Sequence, residues 1–127
     1  MNTAVVGLGS NIDPVKNIGQ ARKLLSQRFK VVAESKFTQT TAIGQPQAPD
    51  FLNGAVLLQT NLESDDLKVE LKGLERKLGR TPEQSGGAAR VIDLDLLIWN
   101  GQVIDEDVHQ RSFVRESVLE LLPSLSL

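Results

Sequence analysis

The sequence predicts an α+β fold in which an antiparallel sheet carries two helices on one face. Three observations lead there. Two segments repeat apolar residues with helical spacing, one opening at Asp13-Pro14 and one at Ser64. Short runs rich in β-branched residues flank both helices. Residues 90–99, Arg-Val-Ile-Asp-Leu-Asp-Leu-Leu-Ile-Trp, form an apolar strand with two carboxylates set into it. Strand side chains alternate between faces, so Asp93 and Asp95 share one side, with α-carbons roughly 6.5 Å apart. Ile92, Leu94, Leu96 and Ile98 read as the buried face, and Val91, Leu97 and Trp99 as neighbours of the acids.

Residues 3–8 are a first strand that ends in the turn signal Gly7-Leu8-Gly9-Ser10-Asn11. Asp13 suits a helix N-cap and Pro14 the first helical position. Val15, Ile18, the stem of Arg22, Leu25 and Phe29 continue one helical face. Residues 31–38 read as a second strand. Residues 40–50, with Gly44, Pro46 and Pro49, read as a loop. Residues 51–60 are a third strand, with Phe51, Asn53, Ala55, Leu57 and Gln59 on one face. The helix from Ser64 places Leu67, Leu71, Leu74 and Leu78 on one stripe, and Gly79 stops it. Residues 80–90 form a second loop, and a short helix is expected within residues 112–122. The β-α-β-β-α-β order matches the ferredoxin-like split βαβ motif. Asp93 and Asp95 are then expected on the helix-free face of the sheet.

Bulk properties set the class. A chain of 127 residues is read as one domain over residues 1–127, large enough for a core. A net charge of −2 argues against a nucleic-acid partner. The absence of cysteine excludes disulfides and thiolate metal sites. No segment is long and apolar enough for a membrane span, and no signal peptide precedes the first strand, so a cytoplasmic protein is expected, a monomer by default.

Two acids on an apolar strand are costly unless a cation meets them. Mg²⁺ is the natural cation, since it takes one or two carboxylates plus substrate phosphate oxygens; the alternative is a solvated strand face. Gly9-Ser10-Asn11 reads either as a backbone nest for a ligand or as a plain turn in which Asn11 or Asp13 caps the helix. Asn53 opens a strand, where Asn is disfavoured. Its amide suits the edge of a heterocycle, or a turn at the sheet edge. Arg80 and Arg90 bracket the second loop as phosphate forks or as solvated charges. Glycine-bearing loops of that length often act as lids. His109, the single histidine, is assigned a surface or capping role.

Gly9-Ser10-Asn11, Asp50-Phe51-Leu52-Asn53, the run 74–80 (Leu-Glu-Arg-Lys-Leu-Gly-Arg) and the run 90–97 (Arg-Val-Ile-Asp-Leu-Asp-Leu-Leu) occur in this order. Together they resemble 6-hydroxymethyl-7,8-dihydropterin pyrophosphokinase, with a further match at Arg111-Ser112-Phe113-Val114. The resemblance spans roughly residues 4–104 and implies a ferredoxin-like fold. It also implies transfer of pyrophosphate from ATP to a hydroxymethyl-dihydropterin, with release of AMP, in folate biosynthesis. By the same resemblance Asp93 and Asp95 hold two Mg²⁺, and Arg80 and Arg90 act with them in catalysis. Thr40, Thr41, Ile43, Phe51, Asn53 and Phe113 line the pterin pocket, while Glu75, Arg80, Leu96 and Arg111 meet the nucleotide.

Departures fall beside these positions. The family loop runs Arg, a second basic residue, then Trp-Gly-Pro-Arg. Here Pro82 holds the second basic position and Gly87-Ala88-Ala89 precede Arg90. A Pro-His-Pro-like segment before the Arg-x-Phe match has no counterpart in residues 104–110. The competing readings are a pterin-binding relative with a degraded nucleotide site, and an interaction or RNA-binding module, which the 4% aromatic content disfavours.

Overall fold

The computed structural model describes residues 1–41, 50–81 and 90–127. Its elements run β1 (Asn2–Ser10), α1 (Pro14–Arg28), β2 (Lys30–Glu34), β3 (Thr38–Thr40), β4 (Phe51–Thr60), α2 (Ser64–Lys77), β5 (Asp93–Trp99), β6 (Gln102–Val103), α3 (Asp107–Gln110) and α4 (Ser112–Leu121). The strands form one antiparallel sheet in the order β2-β4-β1-β5-β6, with β3 also paired to β4. The α+β class therefore stands. The second strand, expected as one run, is two pieces on the same edge of β4. Between them Ser35 turns inward and its hydroxyl accepts the Ala55 N–H at 2.8 Å. Thr40, expected in a loop, closes β3 opposite Phe51.

One face of the sheet meets α1 and α2. Ile18, Ala21, Leu25, Leu67 and Leu71 pack there on Ala4, Val6, Leu8, Val56, Leu58, Leu94 and Leu96, all buried. Burying one such leucine contributes about 1.5–3 kcal/mol, so this layer is the main source of stability. Val15 does not join it; it is 81% exposed, since its position on α1 lies off the Ile18–Leu25 stripe. Asp13 does not cap α1 with its side chain. It takes a left-handed φ of 41°, and the Ile12 carbonyl before it accepts from Ser10 Oγ and Asn17 Nδ2.

The opposite face was expected to be free of helices, and it is half covered. α3 and α4 fold back over it, and Val108 and Val118 pack on Val5, Ala55, Leu97 and Ile98. Ile98 thus lies on the side opposite the one its alternation predicts. The cause is a register shift between β1 and β5: Val5 faces Ile98 and Val6 faces Leu96, leaving Leu97 as the extra residue. A bulge of this kind flips every side chain beyond it, so Trp99 joins the α1/α2 core. Val91, which precedes the strand, packs there too, and only Leu97 remains a neighbour of the acids. β5 and β6 are joined by Asn100-Gly101, with φ of 48° and 81°, the residue pair that a tight hairpin prefers.

Candidate active site

Where α4 leaves the sheet uncovered, a cavity of about 330 Å³ opens. Its floor is β1. Gly7 and Gly9 both face the cavity because they are two residues apart on one strand. In register, Gly9 lies between Asn53 on β4 and Asp93 on β5, and Gly7 lies between Ala55 and Asp95. The central strand therefore contributes no side chains here. A Cβ placed on Gly9 would stand 2.7 Å from Asn53 Oδ1, so only glycine lets the Asn53 amide lie across the floor. The spacing of the two glycines was present in the sequence, but which face it emptied depended on the register.

One wall carries neutral polar and aromatic groups. Thr40, Thr41, Phe51 and Asn53 line it, and Phe113 of α4 lines the same cavity. Asn53 Nδ2 donates to Thr40 Oγ1 at 2.5 Å, which orients the amide. Ile43, grouped with these residues from the sequence, lies outside the described residues, as do residues 82–89 of the second loop.

The other wall is charged. Asp93 and Asp95 both face the cavity. Arg80 Nη1 donates to Asp93 Oδ1 at 2.5 Å, and Arg90 Nη1 stands 3.5 Å from the same oxygen. Lys72 Nζ lies 3.5 Å from Asp95 Oδ1. Desolvation raises both carboxyls above the ordinary aspartate range. Arg80 and then Arg90 oppose the rise at Asp93; Lys72 opposes it at Asp95, where the Asp93 charge adds to it. Two hard oxygen donors that share a face, repel one another and open into a cavity fit a Mg²⁺ ion, which would relieve both the repulsion and the desolvation. Asp93 and Asp95 are the residues that would hold it.

Behind this wall Glu75 is the anchor. It is 3% exposed. Its Oε1 accepts from Arg80 Nη1 at 3.0 Å, and its Oε2 from the Leu94 N–H at 2.6 Å and Lys72 Nζ at 3.1 Å. Glu75 does not line the cavity, so it holds the cations rather than exposing a carboxylate to a ligand. The sequence carried a signal for this: Glu75 follows Leu71 by four residues, on the apolar stripe of α2, where a charge must find partners. The turn at Gly9-Ser10-Asn11 also has a role that neither sequence reading anticipated. Asn11 Oδ1 accepts the Arg90 N–H at 2.6 Å, and its own N–H donates to the Arg90 carbonyl at 3.0 Å. This pair joins the end of β1 to the entry of β5.

Arg111 lines the large cavity and pairs with Asp107 at 3.3 Å. Leu96 does not reach that cavity. It lines a second depression of about 180 Å³ with Lys68, Leu71, Lys72, Leu94, Ile104 and Asp105, and Asp95 borders both spaces. His109 is exposed, and its carbonyl accepts from Arg115. Among the described residues no helix is long and apolar enough to cross a membrane.

Residues 5–123 match the family model of 7,8-dihydro-6-hydroxymethylpterin-pyrophosphokinase (HPPK). The chain is 31% identical to the 2-amino-4-hydroxy-6-hydroxymethyldihydropteridine pyrophosphokinase of Haemophilus influenzae, over all of this chain and 86% of that protein. It is 38% identical to the Methylorubrum extorquens enzyme of the same name, over 97% of this chain and 80% of the relative. For the Bacillus subtilis enzyme of that name the figures are 34%, 98% and 78%.

Proposed function

The chain belongs to the HPPK family, and from that membership we propose a role for each wall of its cavity. The protein is an ATP-dependent pyrophosphokinase of folate biosynthesis. It transfers the pyrophosphoryl group of ATP to the hydroxymethyl group of 6-hydroxymethyl-7,8-dihydropterin and releases AMP. A bond forms between the hydroxymethyl oxygen and the β-phosphorus as the bond from that phosphorus to the AMP oxygen breaks.

The neutral wall receives the pterin. Asn53 reads the polar edge of the ring, with Thr40 and Thr41 beside it, and Phe51 and Phe113 cover its faces; Ile43 belongs to the same set. The charged wall receives the polyphosphate. Asp93 and Asp95 would hold Mg²⁺, two ions being expected, which would supply Lewis-acid neutralisation of the phosphate charge. Arg80 and Arg90 balance the charge that develops on the transferred group, and they are already aimed at the acids before substrate arrives. Leu96 places the depression on the far side of Asp95 against the nucleotide, and Arg111 meets the phosphates from α4's side. Glu75 serves the nucleotide through Arg80 and Lys72 and not by contact.

The observation that carries this reading is the juxtaposition of Asn53 and Asp93 across Gly9. It brings a heterocycle-reading amide and a metal-holding carboxylate to adjacent strands, with no side chain between them. The test is to incubate the protein with Mg-ATP and hydroxymethyl-dihydropterin and follow AMP. AMP formation in step with pterin consumption is expected. Tight pterin binding with no AMP at millimolar ATP would instead make the protein a pterin binder with a failed nucleotide site.

A further inference from the structure

Lys72 stands at the junction of the two cavities. It borders the smaller one, and its Nζ reaches Asp95, the residue that lines both. Its partners are unequal. Glu75 Oε2 at 3.1 Å and the Leu94 carbonyl at 3.2 Å hold it from behind, while Asp95 Oδ1 at 3.5 Å is the loosest contact. The Lys72 side chain is 47% exposed, against 13% for Arg80, which Glu75 and Asp93 grip from two sides. Between Arg80 and Arg90 the sequence contains no lysine or arginine, so that stretch supplies no further cation.

Resting on the pyrophosphokinase reading, we propose that Lys72 is an exchangeable cation of the site: it neutralises Asp95 in the nucleotide-free protein and moves to the polyphosphate when metal and nucleotide bind. A half-exposed ion pair is weak, so a divalent ion at Asp95 displaces the ammonium readily. The four-carbon stem then lets Nζ swing while Glu75 stays in place. An ammonium released beside bound phosphate is a strong partner for it, as a compact point charge that needs no fixed fork geometry. Lys72 thus couples the two events: metal entry frees the cation that the nucleotide takes up.

The test compares Lys72→Met, which removes the charge at similar length, with Lys72→Arg, which keeps it. Lys72→Gln, which keeps a donor for Glu75 and Leu94, replaces the Met variant if that one does not fold. Calorimetry with Mg²⁺ and a non-hydrolysable ATP analogue reads nucleotide affinity, and Mn²⁺ titration by electron paramagnetic resonance reads metal affinity without nucleotide. Loss of the charge is expected to weaken analogue binding about 10- to 100-fold, with Lys72→Arg close to wild type. Mn²⁺ should bind the nucleotide-free Met variant about 2- to 5-fold more tightly, because its competitor is gone. Pterin affinity measured without nucleotide should not move. Analogue affinity within twofold of wild type, or unchanged Mn²⁺ affinity, would overturn the proposal. If the wild-type protein binds no Mg-nucleotide at all, the pyrophosphokinase reading fails and takes this one with it; if wild type binds and the Met variant binds equally, only the role of Lys72 fails.

Discussion

Replacing Glu75 with Ala should separate an anchoring role from a ligand-contacting one. Glu75 accepts hydrogen bonds from the Leu94 N–H, Arg80 and Lys72 while 3% exposed. Hydrogen bonds to charged groups are worth roughly 1.5–3 kcal/mol each, so the gross loss is about 5 kcal/mol or more. Part of it is recovered. Arg80 keeps Asp93, and Lys72 keeps Asp95 and the Leu94 carbonyl, whereas the buried Leu94 N–H loses the carboxylate acceptor that α2 gives it. A net destabilisation of about 2–3 kcal/mol follows, equivalent to a fall of roughly 10 °C in Tm. Urea denaturation should show a lower midpoint at an unchanged slope. Kinetics on the folded variant at low temperature should show a raised KM for ATP and a lowered kcat, since Arg80 and Lys72 lose the carboxylate that fixes them from behind, while pterin affinity stays near wild type. A drop in Tm under 2 °C would refute the anchor. Pterin affinity falling as far as ATP affinity would refute the division of labour between the two walls.

Three further outcomes follow from the same geometry. Asp95→Asn should raise stability at neutral pH: desolvation raises the Asp95 carboxyl in the folded state, so the native protein holds a proton that the unfolded chain has lost, and stability falls as pH rises through that window. The gain should vanish when denaturation is repeated below the ordinary aspartate range, and the variant should release no AMP. Gly9→Ala should leave Tm within a few degrees, because the clash falls on a side-chain oxygen, but weaken pterin binding about 10-fold or more by displacing the Asn53 amide; calorimetry with the pterin decides it. Asn11→Ala should cost about 1–2 kcal/mol by leaving the Arg90 N–H without its acceptor, and it should lower kcat more than pterin affinity; retained kcat would mean that Arg90 is positioned without the clamp.

Local periodicity made much of the fold readable. α1, α2 and β4 begin where Pro14, Ser64 and Phe51 stand because caps, apolar stripes and alternation are written over a few residues. The misreadings share a different cause. Ile98 and Trp99 change faces because β1 and β5 pair with a shift, a property of two strands that are some ninety residues apart in sequence, which no alternation within one strand encodes. Residues 31–38 break into two strands because Ser35 turns to satisfy the Ala55 amide, again a partner distant in sequence. The Asn100-Gly101 hairpin is the opposite case: its signal is local, an Asn-Gly pair that tolerates positive φ at both positions.

The sequence by itself determined the chemistry available: two carboxylates on one strand face, arginines on either side of a loop, an amide and aromatics in the opposing segments, and the motif order of a pyrophosphokinase. Residue type and spacing suffice for that, because alternation along a strand is fixed by backbone geometry. Only the tertiary structure decided how these groups meet. Antiparallel register set Gly9 between Asn53 and Asp93 and so emptied the floor of the site. Burial turned Glu75 from a candidate ligand contact into the anchor of Arg80 and Lys72. The folding back of α4 made a cavity out of an open sheet face. Each of these depends on residues far apart in the chain, and long-range contacts are what a one-dimensional pattern does not carry.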